Sequence, residues 1–259
     1  MTRKTLCIIA AFALFAAAAG CGGEKKEEVA KEGAPAGGAV FKVDPATAAT
    51  ITGKVSFTGS APKKVQIRMD AEPDCMKLHT APTFSQEVVV NANGTLAYVF
   101  VYVKSGLEGK SFEPPTGPVK LDQKGCVYAP HVVGVRAGQT VSIANGDPTT
   151  HNIHPMPKIN REWNQSQAAS SPNLDKPFPR PEIMIPVKCN VHAWMKSYIG
   201  VVDHPYFAVT GDQGTFELKN LPPGEYTLEA WHEKYGTQEQ KVSLGPAGTQ
   251  AVEFTFKGE

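Results

Sequence analysis

Apolar and polar residues alternate with a period of two through much of this chain, and no long stretch carries the helical period. Ala49-Thr50-Ile51-Thr52-Gly53-Lys54-Val55-Ser56-Phe57-Thr58 alternates in this way and runs into a turn at Gly59, which predicts a half-buried strand. Val65-Gln66-Ile67-Arg68-Met69 repeats the pattern and predicts a second. Asp74 to His79 reads as a connecting loop. Glu87 to Val90 is a further strand, followed by a turn at Asn91-Ala92-Asn93-Gly94. Thr95 to Val103 then follows, apolar on both faces and therefore central to a sandwich. Thr140 to Ala144 is strand-like as well. Twenty-four Gly and twenty-one Pro punctuate these short runs, so the chain reads as all-β.

The first twenty residues are of a different kind. Thr2-Arg3-Lys4 is a basic start, and Leu6 to Ala19 is an apolar run too short to span a bilayer as a stop-transfer helix. Ala18-Ala19-Gly20-Cys21 resembles a bacterial lipobox, with Ala18 where Leu is usual, and predicts lipidation at Cys21. An ordinary cleaved secretory leader is the alternative; both imply export. Residues 21–45 hold few side chains able to pack and read as a flexible tether. About 210 residues remain, enough for one large or two small β domains. Charge adds little: 26 Lys+Arg stand against 25 Asp+Glu, and 24 against 25 once Arg3 and Lys4 leave with the leader. With no basic stripe, nucleic acid is not a partner.

The chemistry is concentrated in Cys189-Asn190-Val191-His192-Ala193-Trp194-Met195. A thiolate, an imidazole and a thioether at i, i+3 and i+6 can be turned by a tight loop toward one point. Together with a second imidazole they make the donor set that suits copper cycling between two oxidation states. The second His must come from elsewhere, and Asn145-Gly146-Asp147-Pro148-Thr149-Thr150-His151-Asn152-Ile153-His154 offers two. Strand alternation places His151 and His154 on opposite faces, so one of them alone can serve.

His151-Asn152-Ile153-His154, followed about forty residues later by C-x2-H-x2-M, resembles the cupredoxins in their short-loop, amicyanin-like form. The resemblance runs from about Val119 to Val202 and takes in Tyr128-Ala129-Pro130 and the segment from Val133 to Val141. It implies a Greek-key β-sandwich holding one copper through His151, Cys189, His192 and Met195. Asn152 would bond to the Cys loop and so orient the ligands. It further implies a one-electron carrier, served by a redox protein such as a cytochrome or a dehydrogenase. His192 would lie nearest the surface, with Ala193 or Trp194 at the docking face. Of the five cysteines, Cys7 leaves with the leader, Cys21 takes lipid and Cys189 binds metal. Cys75 and Cys126 remain, as a disulfide in an oxidising compartment or as two free thiols. Prolines at 155, 157, 172, 177, 179, 181 and 186 break up the segment between His154 and Cys189. It reads equally as a binding lid carrying Met156, Trp163 and Phe178 or as a solvated excursion.

From Thr210 to Trp231 the chain resembles the second half of a carboxypeptidase regulatory-like domain, a small β-sandwich whose first half begins with an Ile-Thr-Gly-x-Val strand. Ile51 to Val55 has that form, so the implied architecture is one split sandwich around an inserted cupredoxin, or two tandem domains. The expected segments are a leader at 1–20, a tether at 21–45, an N-terminal β segment at 46–85, a cupredoxin-like domain at 86–203 and a regulatory-like segment at 204–259. His131, His204, His232 and Glu233 are assigned to loops and packing. No phosphate loop, nucleophile elbow or H-E-x-x-H stretch is present, and an enzyme is not expected. The leading expectation is an exported electron carrier, lipid-anchored at the periplasmic face, and at the outer membrane in a host that has one. A structural or surface-interaction lipoprotein is the alternative, as is copper storage or delivery; with six Met in the chain and only Met195 in the loop, delivery is less favoured.

Overall fold

A computed structural model of the chain describes residues 39–258; the leader, Cys21 and most of the tether lie outside the described residues. In chain order the strands begin with β1 (Ala49–Thr58), β2 (Phe100–Ser105), β3 (Val119–Gln123), β4 (Tyr128–Ala129), β5 (Val132–Arg136) and β6 (Thr140–Asn145). They continue with β7 (His151–Pro155), β8 (Gln165–Gln167), β9 (Leu174–Pro177), β10 (Glu182–Lys188) and β11 (Lys196–Val202). Last come β12 (Phe207–Val209), β13 (Thr215–Leu221), β14 (Gly224–His232), β15 (Gly236–Leu244) and β16 (Thr249–Lys257). One short helix, α1 (Pro73–Lys77), lies between β1 and β2. The class is all-β.

Two sandwiches share this chain. In one, the sheet β13-β1-β16 faces the sheet β12-β2-β14-β15 over a core that includes Ile51, Val55, Val101, Phe216, Leu228, Phe254 and Phe256. Strand β1 runs antiparallel to β13 and parallel to β16, so the N-terminal strand is embedded among the C-terminal ones. Gly53 makes this possible: a Cβ there would lie 2.3 Å from the Phe216 ring and 2.4 Å from the Val252 carbonyl. In the other sandwich, β5-β11-β10-β7-β8 packs on β4-β3-β6-β9 around Leu121, Tyr128, Val141, Ile143, Ile153, Ile185 and Ile199. Cys189 and Met195 belong to this second core.

Strand β2 couples the two. Val101 and Val103 enter the first core, while Phe100 and Tyr102 face the other way and pack with Val132, Met184 and Val202. That double burial accounts for a run apolar on both faces. Two glycines permit the approach: a Cβ on Gly134 would lie 2.5 Å from Phe207, and one on Gly200 would lie 2.8 Å from Phe100.

Several elements differ from their sequence pattern. The regular ladder starts at Phe100 rather than Thr95, because Tyr98 turns the backbone to a φ of 61°. Strand β2 lies inside the 86–203 segment yet hydrogen-bonds to β12 and β14, so the sheets do not divide at residue 86. Val65 to Met69 forms no strand of either sandwich but a single bridge, Gln66 to Phe84, its backbone bonding instead to the nearby Thr83 and Ser85. Glu87 to Val90 likewise contributes one bridge, Val90 to Leu96, around the turn that Gly94 N–H closes on Asn91 O. Asp74 to Lys77 is helical rather than loop, with Pro73 in the first turn, where its missing N–H costs nothing. Contacts also begin before Ala46: Val40 bridges Ser111, and the Phe41 ring meets Phe112 edge-on.

The proline-broken segment is part of the second sandwich. It supplies β8 and β9, and Phe178 is fully buried in the core. Glu182 ties it down, its carboxylate accepting the backbone N–H groups of Lys158, Ile159 and Asn160 and the Asn160 side-chain amide.

Candidate metal centre

The turn between β6 and β7 sets one side of the site. Asn145 holds it from within: its amide donates to Thr149 O and Gln167 O, and its Oδ1 accepts the Asp147 N–H. Asp147 is thereby turned inward, where its carboxylate accepts the N–H groups of Gly125 and Cys126, both at 2.7 Å. The same carboxylate lies 2.8 Å from His151 Nε2. His151 opens β7 and is completely buried.

The other side is the loop after β10. Cys189 Sγ accepts the His192 N–H at 3.3 Å, Met195 N–H donates to His192 O, and Cys189 N–H donates to Met195 O. These three bonds curl the seven residues tightly. Asn152 reaches from β7 to the loop, its Oδ1 accepting the Asn190 N–H at 3.0 Å. The result brings His151 Nδ1 to 3.0 Å from His192 Nδ1, and Cys189 Sγ to 3.9 Å from the same His192 atom. One donor atom from each of His151, Cys189 and His192 lies within 4.8 Å of the others. Met195 is buried in the core behind the loop.

The electrostatics follow from this packing. Burial alone would lower the pKa of His151, but the Asp147 carboxylate and the Cys189 sulfur hold it up at about 9. Burial would raise Cys189, yet His151 and the N–H groups of the loop bring it below the ordinary thiol value. His192 is pushed down by burial and then by His151. Asp147 would be raised by burial, but His151 and the two N–H groups hold it below the ordinary carboxylate value. The pocket therefore offers a sulfur, two imidazole rings and an adjacent carboxylate, all buried, a set matched to a soft or borderline cation.

His154 stands apart. On the other face of β7, its Nε2 pairs with Glu162 at 2.6 Å and its Nδ1 faces Asn190 Oδ1 at 3.3 Å. His131 pairs with Glu233 and with Lys196 O, His204 bonds to Val103 O, and His232 Nδ1 accepts the Lys234 N–H. Among the described residues, none of these four histidines joins a group of three metal-capable donors.

The expected exposure of His192 is overturned: the residue is only 1% exposed. A disulfide joins Cys75 to Cys126 and ties α1 over the ring. Cys75 Sγ lies 3.6 Å from His192 Nε2, and Glu72 Oε2 lies 3.8 Å from it. Trp194 tilts against the imidazole at 5.1 Å and donates its indole N–H to Cys126 O. Sequence reasoning missed both this cover and Asp147. Asp147 stood in a legible Asn-Gly-Asp-Pro turn, four residues before His151. A cleft of about 510 Å³ on the other side of the loop is lined by Met156, Lys188, Cys189, Asn190, Lys196 and Tyr198, among others.

A family model described as the carboxypeptidase regulatory-like domain matches residues 200–257. No curated protein matches the chain at a significant level. Among solved structures, a copper-containing nitrite reductase from Thermus scotoductus SA-01 is similar over 39% of this chain, at 20% identity and a TM-score of 0.32. The match spans only 25% of the reductase's length. An amicyanin from Paracoccus versutus is similar at 18% identity and a TM-score of 0.30, covering 39% of this chain and 96% of its own. A purple cupredoxin from Nitrosopumilus maritimus is similar at 17% identity and a TM-score of 0.28, covering 32% of this chain and 98% of its own. The chain is thus similar to the carboxypeptidase regulatory-like domain in its last strands and, over a further part of its length, to proteins of the cupredoxin kind.

Proposed function

We propose that this protein is an exported, lipid-anchored copper protein that carries one electron at a time to or from a redox protein at the periplasmic face of the envelope. The observation that carries the reading is the convergence of Cys189 Sγ with the Nδ1 atoms of His151 and His192 in a fully buried pocket, with Met195 behind the loop. When bound there, copper would supply a one-electron couple between its two oxidation states.

The chain's own residues do the rest. Asp147 fixes the His151 ring and holds a proton on Nε2, so that a metal displaces only the Nδ1 proton and binds at that atom. The His192 N–H steadies the Cys189 sulfur, and Asn152 anchors the loop to β7. Burial excludes water, and a set of donors locked by packing needs little rearrangement when charge changes. The disulfide cover over His192 speaks against storage or delivery, which need an open route for the metal. It also moves the partner's approach to the cleft beside Cys189, flanked by Lys188 and Lys196.

Loading the purified protein with copper and recording visible and spin-resonance spectra tests this. An intense thiolate-to-copper band is expected, lost in Cys189→Ser and in His151→Ala but kept in His154→Ala. Absence of tight copper uptake, or a band that survives Cys189→Ser, would leave the structural-lipoprotein reading instead.

A further inference from the structure

We propose that Cys75, Cys126 and His192 Nε2 form a second metal site, closed while the two cysteines are joined and opened by reduction, for a thiophilic closed-shell cation such as Zn²⁺ or Cu⁺. One donor atom from each of the three lies within 4.8 Å of the others, and all three residues are buried. Cys75 Sγ already lies 3.6 Å from His192 Nε2. Glu72, one residue before α1, brings Oε2 to 3.8 Å from the same nitrogen and supplies a fourth ligand. Two thiolates, an imidazole and a carboxylate make a tetrahedral set suited to such a cation.

The two halves of the His192 ring have different duties. Nδ1 faces His151 and Cys189, while Nε2 faces Cys75. With the first site empty the ring therefore binds at Nε2 and keeps its proton on Nδ1; with both sites filled it gives up that last proton and bridges as an imidazolate. The chemistry balances with a dithiol as reductant. Two electrons and two protons pass from the dithiol to the Cys75–Cys126 bond, giving two thiols here and a disulfide on the reductant. Metal binding then displaces the two thiol protons and forms two metal–sulfur bonds. Cys126 stays in place through its N–H bond to Asp147. Cys75 sits on a five-residue helix whose neighbours Asp74, Met76 and Lys77 are exposed, which gives it room to adjust.

This inference needs the thiols and His192, not copper at the first site, and the test separates the two. The oxidised protein and the dithiol-reduced protein, freed of reductant under nitrogen, are titrated with Zn²⁺, both as wild type and as Cys189→Ser. Reduction is expected to add one Zn²⁺ per chain in each. In the reduced protein Zn²⁺ should slow alkylation of Cys75 and Cys126 at least tenfold, read peptide by peptide by mass spectrometry. Equal stoichiometry before and after reduction, unchanged alkylation rates, a disulfide that resists reduction in the folded chain, or loss of the strand signal in circular dichroism on reduction would each overturn it. Failure of the copper reading shows elsewhere, as a missing visible band in the oxidised wild type.

Discussion

Asp147 Oδ2 lies 2.8 Å from His151 Nε2, four residues along the same turn, and both side chains are sealed from water. A buried carboxylate next to a ligand imidazole does two things at once. It fixes which ring nitrogen carries the proton, and through the N–H groups of Gly125 and Cys126 it links the metal loop to the disulfide.

Asp147→Asn should therefore damage both stability and the site. The amide cannot accept from two N–H groups and a histidine at once, so one of its own N–H donors would face another donor. A loss of about 2 kcal/mol is expected from the buried unpaired group. Copper affinity should fall about 10- to 100-fold with the ligands themselves untouched. Denaturant melts and competition with a coloured copper chelator measure the two effects; unchanged affinity would show that Asp147 does not orient His151.

The Cys75–Cys126 bond closes a loop with a sequence separation of 51. By loop-closure entropy, reduction should cost about 4 kcal/mol of stability. The midpoint of a guanidinium melt, with and without a dithiol, reads this directly. A shift equivalent to under about 1 kcal/mol would show that the unfolded chain is not the state the bond restrains.

Glu182 is held below the ordinary carboxylate value: burial opposes the shift, but the N–H groups of Lys158, Asn160 and Ile159 and the Asn160 amide outweigh it. A depressed carboxylate stabilises fully above its unfolded value, and that contribution is lost as pH falls through the folded value. Stability should thus decline as the medium is acidified below about pH 5. Glu182→Gln should cost about 2 kcal/mol at neutral pH and flatten the acid limb. A mutant whose acid limb matches the wild type would rule out this anchor for the proline-broken segment.

Lipidation at Cys21 lies outside the described residues and rests on sequence. Growth with a fatty-acid analogue should label the protein and leave Cys21→Ala unlabelled, with the variant released from membranes by a salt wash. An unlabelled wild type would point to an ordinary cleaved leader, and label persisting in Cys21→Ala would point to another attachment.

Much of the site was legible because its information is local. The spacing of Cys189, His192 and Met195 fits one tight loop, and strand alternation sets His151 and His154 on opposite faces of β7, whatever the rest of the chain does. The all-β class was legible for the same reason, since period-two patterning acts within a few residues. So was the Gly in Ile51 to Val55, although only the packing of Phe216 across β1 shows why a side chain is excluded there.

The rest depended on residues far apart in sequence. Pairing of β1 with β16 joins positions about 200 residues apart, and no local pattern selects among the exposed edges that either strand could join. Strand β2 reads as apolar on both faces from any window, but which sandwich its hydrogen bonds serve is settled by competition between β12 and β14 on one side and the second sandwich on the other. The cover on His192 is of the same kind. Glu72 and Cys75 meet its ring because one covalent bond draws α1 to Cys126, Trp194 is held against it by the indole bond to Cys126 O, and the burial of that imidazole is a property of the folded chain alone.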